Sequence, residues 1–294
     1  EADADLAALA AQIGRFRFFA GRADLAMERL EFALTIAEHL NVPETLAQAL
    51  NTKGLVLFTR GRQREGHALI SQALELALEH DKPSAALRAY YNLSDIMSQT
   101  DQVQESARLG REGLALARRV GNRYWEFSFL GVAYPLYLLG EWDAVLAREA
   151  DLPEEDWAQT RIAFCALLSS LIPIRVHRGQ LDEAQQSARI LAELAVSADV
   201  QEQGQLHLAE ATLFLGAGRH ADALHSAERA VVIREALGIS ADGVKEAVVV
   251  ALEAASSFLE RLQPIEAIAG APRVPADVMD LAAFTSSYYH AAPG

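Results

Sequence analysis

Apolar and polar residues alternate along this chain at the spacing of helices, and the helices themselves recur. Within residues 66–78, large apolar residues such as Leu69, Leu74, Leu76 and Leu78 fill the rest of a helix face. A turn residue begins a short motif at Gly21, Gly61, Asp101, Gly140, Gly179 and Gly218. The successive intervals are 40, 40, 39, 39 and 39 residues. Five positions after each turn stand Ala26, Gly66, Ser106, Val145, Ala184 and Ala223. Seven positions before it stand Gly14, Gly54, Ser94, Ala133, Ile172 and Ala211, small in all but one case. Five nearly constant intervals mark an internal repeat.

The pattern predicts a helix, a glycine turn and a second helix in each copy. Glycine ends the first helix because a left-handed residue costs it least. Small residues mid-helix let two backbones approach, and Ala33, Ala73, Gly113 and Ala230 recur further along the second helices. Breaks between pairs are as regular: Asn41-Val42-Pro43, Asp81-Lys82-Pro83 and Gly121-Asn122-Arg123. The expected architecture is all-α, a solenoid of antiparallel helix pairs with about six or seven repeats and a C-terminal capping helix. One domain spans 1–294, with repeats one to four in 1–150, repeats five to seven in 151–262 and a capping segment in 263–294.

Some copies break the rule. Pro135 and Pro173 fall inside first helices, where each removes a hydrogen bond and is expected to kink the helix. Repeat four has a short second helix, Trp142 to about Ala150, stopped by Asp151 and the acidic Glu154-Glu155-Asp156. Residues 242–262 are expected as one long helix and 276–290 as a final cap.

These residues resemble the tetratricopeptide superfamily: a small residue mid first helix, glycine at the turn and alanine in the second helix. The resemblance covers about residues 5–255. The usual repeat has about 34 residues, so 39–40 adds about a turn and a half of helix in total. Such long repeats are similar to the C-terminal arrays of bacterial signalling ATPases, transcriptional activators and cyclase-linked regulators. Residues 85–94 and 134–142 carry that likeness. It implies a right-handed superhelix and a non-catalytic interaction or sensing role in transcription regulation or signal transduction. A neighbouring ATPase or effector domain would be the partner.

Composition narrows the chemistry. The net charge of −14 and the presence of only three lysines argue against a phosphate-backbone partner. A single cysteine, Cys165, allows no internal disulfide and, lying in an apolar run, is expected to be buried and inert. No apolar stretch is long enough to span a membrane. With no signal peptide and a Glu1 start, the expectation is a cytoplasmic fragment of a larger protein. No lysine follows a glycine, no His-Glu-x-x-His spacing occurs, and no Gly-x-Ser-x-Gly elbow is present. No catalytic residue, cofactor or metal ligand is therefore assigned.

What remains is a surface. First helices of stacked pairs line the concave face, and the repeat register places Gln12, Arg15, Gln48, Asn51, Thr52, Leu55, Arg88, Tyr91, Asn92, Asp95, Phe127, Leu130, Tyr134, Tyr137, Ser169, Ser170 and His177 there. The candidate binding residues are Arg15, Asn51, Arg88, Tyr91, Asn92, Asp95, Tyr134 and Tyr137. A polar patch beside an aromatic wall suits a peptide, small ligand or sister domain. Arg88 and Asn92 match the residue types with which some peptide-binding relatives clamp a terminal carboxylate. Ala11 and Thr52 depart from that pattern. Other readings stand beside these: core packing for Tyr134 and Tyr137, a solvated or intra-repeat-paired Arg88, and a constitutive scaffold or homodimer through the terminal repeats.

Overall fold

The computed structural model describes residues 3–151, 157–194 and 200–236. The chain divides into two compact units, 1–252 and 253–294, and all the described residues belong to the first. The expected helix over 242–262, the cap over 276–290 and the acidic residues 154–156 lie outside them.

Among the described residues the structure is entirely helical. The pairs are α1 (Ala4–Phe19) with α2 (Ala23–His39), α3 (Pro43–Thr59) with α4 (Gln63–Glu79), and α5 (Pro83–Gln99) with α6 (Val103–Val120). Repeat four is broken into α7 (Arg123–Gly131), α8 (Tyr134–Leu138) and α9 (Trp142–Ala147), closed by a 3₁₀ turn over Arg148–Asp151. Then come α10 (Trp157–His177) with α11 (Leu181–Leu194) and α12 (Val200–Gly216) with α13 (His220–Ala236).

Both kinds of connection use one device. The turn glycines have φ between 70° and 80°, and Asp101, which replaces glycine in repeat three, has φ 59°. Asn41 and Asp81 (φ 51° each) and Gly121 (φ 68°) do the same between pairs. The next amide then reaches back over the helix end: Arg62 N–H donates to the Leu57 carbonyl at 3.0 Å and Lys82 N–H to the Ala77 carbonyl at 2.8 Å. These are Schellman-type ends, in which Asn and Asp are the side chains that best tolerate a left-handed backbone. Pro43 and Pro83 follow as the first helical residues, where the missing amide costs nothing.

The small residues sit where helices cross. A Cβ on Gly66 would lie 2.5 Å from the Gly54 carbonyl oxygen and 2.9 Å from Phe58 N. In repeat three the equivalent pair is polar: the Ser94 hydroxyl donates to the Ser106 carbonyl at 2.9 Å, and the Ser106 hydroxyl to the Ser94 carbonyl at 2.6 Å. This close packing corrects the expected face of α4. Its buried line is Gly66, Ile70, Ala73 and Ala77. Leu74 and Leu76 are only partly buried against the core, and Leu78 is exposed. Backbones this close leave room for alanine, and the leucines fill the margins.

Repeat four shows what a proline does at such a site. Pro135 cannot donate to the Gly131 carbonyl, and its ring would clash with that carbonyl in a continuous helix. The first helix therefore separates at Val132–Ala133 instead of merely kinking. Arg148 fills the gap: its guanidinium donates to the carbonyls of Phe129 (3.0 Å), Leu130 (3.1 Å) and Val132 (3.0 Å). Burial, then Arg111 and Arg118, lowers its pKa to about 10, so it stays cationic at neutral pH. Beyond the break, Gly131 lies against the Ala163 backbone, bringing α7 onto α10. Helix α10 runs unbroken through Pro173. Cys165 is wholly buried, as its apolar run predicts. Among the described residues no helix is long and apolar enough to cross a membrane.

Candidate binding site

The eight candidate residues fall into two groups. The first spans α1, α3 and α5. Arg88, on α5, is 6% exposed. Its guanidinium donates to Gln48 Oε1 at 2.5 Å and to Thr52 Oγ1 at 2.7 Å, both on α3. One turn on, Asn92 Nδ2 donates to Asn51 Oδ1 at 2.8 Å. These bonds join residues 36 to 41 apart in sequence, so they form a polar ladder from one first helix to the next.

Two features of this ladder are unusual. Among the described residues, no carboxylate pairs with the buried Arg88. Burial, and then the nearby guanidinium of Arg15, lowers its pKa to about 9. A buried cation is ordinarily matched by an anion, and this one faces a second cation instead. Asn51 is 1% exposed, and its Nδ2 has no hydrogen-bond partner among the described residues. Buried amide donors are almost always satisfied. A guanidinium without a carboxylate partner among the described residues and an orphan amide thus belong to the same ladder between α3 and α5.

Tyr91 closes one side. Its ring packs on Trp125 at 5.6 Å and edge-on to Phe129 at 5.8 Å. Burial, then Asp95, then Tyr124, raises its pKa to about 12, so it remains a neutral phenol. Asp95 is exposed and accepts from Gln99 Nε2 at 2.8 Å.

The second group is aromatic and belongs to the broken repeat. Tyr134 lies 6.1 Å from Tyr137. The rings of Tyr137, Trp142 and His177 are separated from one another by 5.7 to 6.4 Å and lie within 18° of parallel. The Arg178 guanidinium sits 5.9 Å from the Trp142 ring. Tyr134 is exposed, so core packing does not describe it. Tyr137 is half-buried against the core, and burial, then Tyr134, raises its pKa.

The projected face needs correction elsewhere. Phe127 and Leu130 belong to the core of repeats four and five, and Thr52 and Ser170 are also buried. With helices this close, the side of a first helix facing its predecessor is covered, and the projection took in some of that side. Gln48, which the register had placed on this face, and Trp142 were not among the eight candidate binding residues. Gln48 lies 40 residues before Arg88, one repeat apart, and that spacing is the signal that points to it. Trp142 enters only because α8 ends early.

No family model matches the chain, and no curated protein matches it in sequence. The fold does have solved counterparts. A Rap protein, solved in complex with competence and sporulation factor, superposes with a TM-score of 0.56 at 15% identity. The match covers 82% of this chain and 71% of that one. The fold is a TPR-like helical-repeat solenoid. BtubC (BKLC) from P. vanneervenii also aligns, with a TM-score of 0.42 and 15% identity over 89% of this chain and 84% of that one.

Proposed function

We propose that this repeat domain is a non-catalytic binding module whose first-helix face, at repeats one to three, takes a peptide or protein segment bearing a carboxylate. The observation that carries the reading is Arg88: a buried guanidinium beside Arg15 whose hydrogen-bond acceptors among the described residues are the neutral oxygens of Gln48 and Thr52. An anion there would supply the missing counter-charge, and the orphan Nδ2 of Asn51 is a second donor for it. Tyr91 and Asn92 border the same place, and the Tyr134–Tyr137 cluster offers apolar area further along for the rest of a segment.

Support of a broader kind comes from the fold. The Rap protein of the comparison was solved with competence and sporulation factor bound, and a solenoid of this type suits a partner that lies along several repeats. The long repeats favour a setting in a bacterial cytoplasmic regulator of signalling or transcription, with a neighbouring ATPase or effector domain as one source of the segment.

The test is an array of short peptides with free or amidated C-termini and with or without acidic side chains, probed with the whole chain and with Arg88→Met. The expected result is a set of binders that require a carboxylate and are lost on Arg88→Met. An array with no binders, or binders indifferent to Arg88→Met and Asn51→Leu alike, refutes the proposal.

A further inference from the structure

Joints between successive repeats are built from equivalent positions, and the joint between repeats one and two leaves a space. There α2, α3 and α4 border an open cavity of about 490 Å³, walled by Leu34, Leu46, Leu50 and Leu76, with Glu38 and Gln72 at its edge. Helices α1 to α4 are all in place around it, so it belongs to an internal joint. One repeat further on, the register puts Leu74, Ala86, Tyr90 and Leu116 where the four leucines stand. They pack into one apolar cluster, and Tyr90 is 9% exposed. Its hydroxyl lies beside the carboxylate of Glu112, the equivalent of Gln72; burial, then that carboxylate, raises its pKa. In the joint after that, the position of Leu50 and Tyr90 falls to Phe129, which is 1% exposed with its ring against Gly113. Two successive joints thus hold an aromatic ring at this position. In the first joint a leucine stands there instead, and all four wall leucines remain only half-buried.

We propose that this cavity binds a small aromatic amine, with its ring against the four leucines and its ammonium group at Glu38. The chain itself supplies the template for the ring, because Tyr90 and Phe129 show what the same position holds when a joint is filled. The volume lies within the range of small-molecule sites, and an apolar wall with a few polar groups at its edge is their usual chemistry. The sign of the charge follows from Glu38, the charged residue of the lining. Among the described residues no cation pairs with it, and Lys53 of α3 is taken by Glu31 at 2.6 Å. An ammonium group would supply the partner, whereas an aryl carboxylate would meet a like charge. The net charge of −14 adds a general attraction for cations. Gln72 offers an amide to a ring N–H or hydroxyl, where the next joint has Glu112 beside Tyr90. The cavity shares no residue with the Arg88 ladder or the Tyr137 cluster, so it stands or falls apart from the proposed peptide site.

Tryptamine and phenethylamine are the probes, titrated into the whole chain with its leucine methyl groups isotope-labelled for NMR. Phenylpropionate, a ring with the opposite charge, and butylamine, a charge without a ring, are the controls. The two aromatic amines should shift the methyl signals of Leu34, Leu46, Leu50 and Leu76, with dissociation constants of about 0.1–1 mM. Both controls should bind at least about tenfold more weakly. Leu46→Ala combined with Leu50→Tyr transplants the Ala86–Tyr90 pair into the cavity. It should abolish binding while the melting temperature stays at or above the parent's. Glu38→Lys changes an exposed side chain and leaves the packing alone, so it carries the test even where the double variant fails to fold. It should weaken tryptamine about tenfold and admit phenylpropionate. No shift at the four leucines with millimolar amine overturns the proposal. So does tryptamine affinity that Glu38→Lys leaves unchanged, or that survives in a folded double variant.

Discussion

Replacing Arg88 with methionine separates a binding role from a bracing one. Arg88 is almost fully buried and makes two hydrogen bonds, both to neutral oxygens. Its pKa falls from 12.5 to about 9. At about 1.4 kcal/mol per unit, the site disfavours the charged form relative to the neutral one by on the order of 5 kcal/mol. Methionine fills a similar volume without charge. It strands little: Thr52 Oγ1 still donates to the Gln48 carbonyl at 3.1 Å, and the half-buried Gln48 amide can turn to water, at a cost of about 1–2 kcal/mol for the two acceptors. The expected result is a urea midpoint and melting temperature equal to or above the parent's, by about 1–3 kcal/mol, as when other buried charges are exchanged for apolar groups. The carboxylate peptides of the array should no longer bind. A gain in stability paired with a loss of binding is the mark of a strained functional site. A loss of about 2 kcal/mol or more would refute the reasoning, because it would make Arg88 a strut between repeats two and three.

Carboxylate binding should also depend on pH. Arg88 is a base whose folded pKa lies below its unfolded value, so its unfavourable burial is fully present below about 9 and is relieved as pH rises from there towards 12.5. The charge available to an anion disappears over the same range, while Tyr91 stays neutral. Calorimetric titration should find binding about tenfold weaker at pH 10 than at pH 8, and a flat profile would count against Arg88 as the anchor. Arg148→Met should act in the opposite direction to Arg88→Met, because it strands three carbonyls at the end of α7; a loss of about 2–3 kcal/mol is expected in urea unfolding, and an unchanged midpoint would mean that water caps the break equally well. Glycine positions should split by their surroundings. Gly66→Ala forces a Cβ into the Gly54 carbonyl and should cost about 2–3 kcal/mol. Gly110→Ala meets only Ser94 Oγ at an ordinary 3.6 Å and should stabilise by up to about 1 kcal/mol; equal effects at the two sites would contradict the crossing geometry.

The repeat itself was legible in the sequence because its signals are local. A left-handed turn wants glycine, asparagine or aspartate whatever surrounds it, so Gly21, Gly61 and Asp101 announce their turns directly. Pro43 and Pro83 announce helix starts in the same way, and the 39–40-residue period follows. Small residues at Gly54, Gly66, Ser94 and Ser106 announced close backbone approach, although not that Gly66 would meet the carbonyl of Gly54. The tertiary structure alone decided which polar residues of the first helices lose contact with water. Burial belongs to neighbours in space, and the partners of Arg88 lie a whole repeat away at Gln48 and Thr52. Nothing local distinguishes Arg88 from a solvated arginine, or Arg148 from any other arginine of a short helix.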